Sequence, residues 1–188
     1  MQGRNIFRDL RIRTFMNYWR AYLPRFSPIW TGMALVTAIL CFCLLFNRHP
    51  DKSTRKRMVI SLSGALAAAY VIALAAMLLG GRSVASRGVN LIPFWSYRAY
   101  LAGGLDYLYV NILNVLLFVP FGFCAMLFIS LAVERERAFA RAVLAGLAVS
   151  LLMEVLQFVL SRGLAEFDDV FHNTLGAALG AAAAMLFL

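Results

Sequence analysis

The residues with the most chemistry to offer lie late in this 188-residue chain. Glu154 and Gln157 stand three apart near the end of an apolar run. Past Ser161-Arg162-Gly163 comes Glu166-Phe167-Asp168-Asp169, and His172-Asn173 open the next apolar run. Carboxylates and an imidazole this close together could do acid–base work. Three carboxylates near one surface could also hold a hard cation such as Mg²⁺, although this spacing is not diagnostic of a metal site. There is no nucleophile motif and no H-E-x-x-H, and nothing calls for a cofactor. Cys41, Cys43 and Cys124 all sit in apolar runs and form no C-x-x-C pair, so they read as packing residues.

Helical spacing sorts these groups onto faces. Asp169, Asn173, Gly176 and Gly180 follow a 4-3-4 spacing, which is one stripe of a helix. The small residues on it let a second helix approach closely. Asn111 and Asn114 share a face three apart, and the same segment then carries Pro120 and Gly122, which should bend or open it. Each feature has a plainer structural reading as well. Asp168 or Asp169 can cap the helix that follows. Asn111 and Asn114 can be hydrogen-bond glue between helices, Gly176 and Gly180 packing positions, and His172 a packed or interfacial histidine. Glu154 is the hardest to set aside. A carboxylate near the end of an apolar helix needs a partner or water, and Arg162 is within reach along the chain.

The elements that must position these groups follow from composition. Hydrophobic residues make up 62% of the chain and charged residues 14%, whereas a soluble domain is about a quarter charged. Five apolar runs cover residues 29–46, 58–79, 108–133, 139–160 and 170–188. Each approaches or exceeds the roughly 20 residues that cross about 30 Å of hydrocarbon. The expected fold is therefore all-α, an integral membrane bundle of about five transmembrane helices over residues 29–188. Residues 1–28 carry six Arg among Phe, Tyr and Trp before any long apolar run. They read as a basic amphipathic segment lying in the interface and not as a cleaved signal.

The net charge of +9 gathers in the polar gaps. This suits a bilayer with anionic headgroups, and there is no compact basic domain to bind nucleic acid. Arg48, Lys52, Arg55, Lys56 and Arg57 fall on the same side by alternation as Arg135, Arg137 and Arg141. The positive-inside rule makes that side cytoplasmic and turns the 80–107 and 161–169 gaps outward. The arginine-rich N-terminus then falls on the outer side, against the same rule. The long 80–107 gap, with Phe94, Trp95, Tyr97 and Tyr100, reads as a partly ordered surface or re-entrant loop at headgroup level. Nothing in the sequence fixes an oligomeric state.

Four motifs then occur in order: Asn90-Leu-Ile-Pro-Phe94; Asn114-x-x-x-Phe118-x-Pro120-x-Gly122; Glu154-x-x-Gln157; and Asp168-Asp169-x-x-x-Asn173-x-x-Gly176-x-x-x-Gly180. Together they resemble the VanZ-like family over about residues 58–188. The resemblance implies a bacterial multi-pass cell-membrane protein and suggests a part in resistance to teicoplanin-type glycopeptides, the property of the family's namesake. The family has no agreed catalytic mechanism. The resemblance therefore marks Asn90, Asn114, Glu154, Gln157, Arg162, Asp168, Asp169 and Asn173 only as a candidate polar site, with Pro120, Gly122, Gly176 and Gly180 as helix-packing positions. Three functions stay open: binding an antibiotic, lipid or lipid-linked precursor at the outer face; an enzyme acting on a lipid-linked substrate through the Glu/Asp cluster; and a small transporter or flippase.

Overall fold

The computed structural model describes residues 52–80, 88–130 and 132–186. The expected basic segment 1–28 and the apolar run 29–46 lie outside them. The described chain is mostly helical: α1 (Lys52–Gly80), α2 (Trp95–Leu101), α3 (Leu105–Ile129), α4 (Arg135–Val159) and α5 (Phe167–Met185). Two short strands, β1 (Gly88–Asn90) and β2 (Leu164–Glu166), accompany them.

α3 and α4 are long and apolar enough to cross a membrane. The apolar part of α1 is shorter, Ser61–Ala76. α5 is 19 residues long and opens with Asp168 and Asp169 in its first turn, where the helix dipole favours negative charge. The membrane character shows in which residues face out. On α4 the buried positions are Ala138, Ala142, Gly146, Ser150, Met153, Glu154 and Gln157, while Leu144, Leu151, Leu152, Val155 and Val159 are exposed. A helix with large apolar side chains outside and small or polar ones inside suits lipid, where polar groups must be satisfied within the bundle.

The expectation of an all-α chain needs one correction. β1 and β2 pair in parallel, with Gly88 opposite Leu164 and Asn90 opposite Glu166. The sheet is only three residues long because it joins two loops and has no core of its own. It brings residues 88–90 and 164–166 together at one end of the bundle. The described part of the long gap, from residue 88 on, contains both β1 and α2.

α3 lies against α1, α2, α4 and α5, and Phe118, Met126 and Leu127 on it are fully buried. It runs unbroken through Pro120, where the sequence suggests an opening. Pro120 removes the N–H that would bond the Leu116 carbonyl. In the same turn the Tyr70 hydroxyl of α1 donates to the Leu117 carbonyl. That bond goes to the carbonyl next to the freed one.

α3 and α5 are held closest. A Cβ placed on Gly176, Gly180 or Gly122 would fall inside the van der Waals shell of the Val115, Val119 or Ala177 carbonyl oxygen, respectively. The four packing positions thus divide: three glycines form the α3–α5 seam, and Pro120 lies on α3 beside it.

Candidate functional site

The polar residues gather at the sheet end of the bundle, and Asp168 is the centre of the arrangement. Its side chain is fully buried. Oδ1 accepts the Phe94 N–H at 2.6 Å, and Oδ2 accepts the Ser96 N–H at 3.0 Å and the Ser96 hydroxyl at 2.5 Å. Asn111 Nδ2 then donates to Ser96 Oγ at 2.9 Å. The expectation that Asp168 or Asp169 caps its own helix is corrected here. The N-cap of α5 is Glu166, and no side chain caps it. Asp168 instead serves the first turn of α2, whose orphan N–H groups need acceptors. It reaches a helix 72 residues away in sequence.

That reach holds a strained backbone in place. Phe94 adopts a left-handed conformation at φ 57°, which costs a residue with a Cβ roughly 1–3 kcal/mol. The bond from its N–H to Asp168 is charge-assisted, among the stronger kinds. Pro93 before it and Asp168 beneath it fix the direction in which Phe94 leaves the chain.

The other candidates form smaller pairs near this centre. Asn114 Nδ2 donates to Asp169 Oδ1 at 2.7 Å, linking α3 to α5. Glu154 is buried on α4; its Oε2 accepts the Glu166 N–H at 3.0 Å, and Gln157 Nε2 lies 3.4 Å from its Oε1. Glu154 therefore ties the end of α4 to β2. Asn173 donates to Ser150 Oγ at 2.9 Å between α5 and α4, and its own Oδ1 is buried with no hydrogen-bond partner among the described residues.

Two candidates have local backbone roles. Asn90 Oδ1 accepts the Ile92 N–H in a local turn at 3.2 Å. Arg162 closes α4: its N–H reaches the Gln157 carbonyl at 2.9 Å while Ser161 takes the left-handed position usually given to glycine. Among the described residues, no three His, Cys, Asp or Glu side chains converge as metal ligands, so the hard-cation idea has no geometry behind it here.

Sequence reasoning missed Ser96, Tyr97 and Ser150. Each is an ordinary residue whose partner comes from a distant element. His172 is buried, with Nδ1 2.5 Å from the Asp168 carbonyl oxygen and Nε2 2.7 Å from the Tyr97 hydroxyl. Around this polar core stands an aromatic group. Phe94 packs edge-to-face on Phe171, Tyr97 and Phe167, with ring centroids 5.1, 6.1 and 6.1 Å away. All four rings are exposed, as are Leu91 and Ile92 beside them.

The sequence model of the VanZ/LLP1 family matches residues 33–188. No curated protein and no solved structure matches the chain.

Proposed function

The chain belongs to the VanZ/LLP1 family, whose pattern covers most of its length, and on that premise we propose that it is a multi-pass protein of the bacterial cell membrane that binds an amphiphile at the outer end of its bundle. The amphiphile is a lipid, a lipid-linked precursor or an acylated glycopeptide of the teicoplanin type. In this reading the apolar runs at 29–46, 58–79 and 170–188 span the bilayer along with α3 and α4. The sheet end then faces outward, away from the basic loops.

The observation that carries the proposal is the exposed aromatic group of Phe94, Tyr97, Phe167 and Phe171, fixed above a buried polar network. Exposed rings beside polar groups suit a ligand with one apolar and one polar part. The carboxylates favour binding over turnover through the Glu/Asp cluster. Asp168, Asp169 and Glu154 are each engaged by donors from the protein itself, which is the work of a scaffold.

The test uses the full-length protein in phospholipid nanodiscs, titrated with teicoplanin and with its deacylated core while Trp fluorescence is followed. The acylated form should bind, the deacylated core should bind at least about tenfold more weakly, and Phe171→Ser should weaken the acylated form by a similar factor. Equal binding of the two forms, or no binding of either, would remove the amphiphile reading.

A further inference from the structure

Tyr97 belongs to the aromatic group on which the amphiphile reading rests, and it also makes a hydrogen bond to His172 that binding alone does not require. The Asp168 carbonyl can only accept a hydrogen bond, so His172 Nδ1, 2.5 Å away, carries the ring proton. Nε2 then presents its lone pair to the Tyr97 hydroxyl at 2.7 Å. His172 is 2% exposed, and Tyr97 is 38% exposed. One end of this hydrogen-bond chain is thus locked to the backbone, and the other opens at the surface. A hydroxyl, a base within hydrogen-bond reach and a third group that orients the base make up the geometry of covalent catalysis.

We propose that Tyr97 is a nucleophile and His172 its general base, placed to take an acyl group from a carboxylic ester at the end of the bundle. Tyr97 Oη attacks the ester carbonyl carbon as its proton passes to His172 Nε2. The ester C–O bond breaks, and the departing alkoxide takes that proton back from Nε2. The products are an acyl ester on Tyr97 and a free alcohol, with no change in oxidation state. While His172 is charged, the Asp168 carbonyl dipole holds its Nδ1–H. Asp168 also positions the nucleophile, because its carboxylate fixes Ser96, the residue before Tyr97.

The surroundings point to the class of substrate. Phe171 packs edge-on against the His172 ring at 5.3 Å, and Phe94 against Tyr97 at 6.1 Å. Apolar walls on both members of the pair suit a fatty acyl chain.

The experiment treats the full-length protein with p-nitrophenyl decanoate, following p-nitrophenolate release and locating the decanoyl group by peptide mass spectrometry. Tyr97 should be acylated roughly tenfold or more above Tyr100, Tyr107 and Tyr109, and His172→Gln should slow its acylation by at least the same factor. Even labelling across the four tyrosines overturns the proposal, as does Tyr97 labelling that His172→Gln leaves unchanged. If His172→Gln does not fold, the comparison among tyrosines in the unaltered protein decides alone.

Discussion

Along the seam between α3 and α5, Gly176 and Gly180 bring one backbone against the carbonyls of the other, while nearer the sheet Asn114 and Asp169 join the same two helices through a side-chain bond of 2.7 Å. The glycine region leaves no atom to spare, and its stability comes from close approach over several turns. The polar region is held by directional bonds that give little net stability when made but cost much when one partner is lost. It follows that the seam sets whether the bundle forms, and the sheet end sets what the formed bundle presents to a ligand. A substitution in one region should therefore differ in kind from a substitution in the other.

The largest effect is expected in the seam. In Gly180→Val the added Cβ meets the Val119 carbonyl and the Phe123 amide nitrogen, backbone atoms that no rotamer change can move aside. Overpacking costs about 1–3 kcal/mol in ordinary cores and more where backbone must shift. For a chain of this size, a cost of about 3 kcal/mol lowers Tm by roughly 10 °C. Thermal unfolding in detergent measures it. A variant melting as the parent does would show that the helices can separate freely, and the contrast between the two regions would fail.

Next is Asp168→Asn at the sheet end. The amide keeps the shape of the side chain but sets an N–H₂ group against at least one of the donors from Phe94 and Ser96. An unmet buried donor costs about 1–3 kcal/mol. The damage should be local, because α2 and Phe94 depend on this carboxylate and the seam does not. Hydrogen exchange should rise across residues 88–101 while α3 and α5 keep their protection. Uniform loss of protection in all helices would mean that the two regions form a single unit.

The sequence made one of these regions far easier to read than the other. The Gly176–Gly180 spacing and the apolar runs are local patterns, and period and composition give them directly. The runs 108–133, 139–160 and 170–188 overlap α3, α4 and α5. Asp168 also stood out as a carboxylate at a helix start, but its role did not, because the helix it serves lies 72 residues away and begins inside a stretch with loop composition. Ser96 and Ser150 carry no local signal at all. A serine becomes part of a site only through what the fold sets against it. Pro120 lies inside an unbroken α3, and the Tyr70 hydroxyl that reaches the neighbouring Leu117 carbonyl comes from α1, where no local pattern could point to it.

The smallest effect, and the finest test of the comparison, lies where the two regions meet. Asn173 is one turn from Asp169 and one from Gly176–Ala177. It donates to Ser150 but buries a carbonyl oxygen with no partner among the described residues. The gain from the bond is about 1 kcal/mol, and an unmet buried acceptor costs about as much or more. The side chain is therefore close to neutral as packing. Replacing both members with apolar groups, Asn173→Leu with Ser150→Ala, removes the bond and the orphan together and should shift Tm by only a few degrees. A serine left alone in Asn173→Leu can turn its hydroxyl to the carbonyl four residues back, as Ser63 does to Val59 at 2.6 Å, so that single variant should also be mild. A fall in Tm of more than about 10 °C in the double variant would place Asn173 with the seam as a determinant of folding. An unchanged Tm with weakened amphiphile binding would place it with the sheet end, and its unpaired oxygen would then be an acceptor kept for something other than stability.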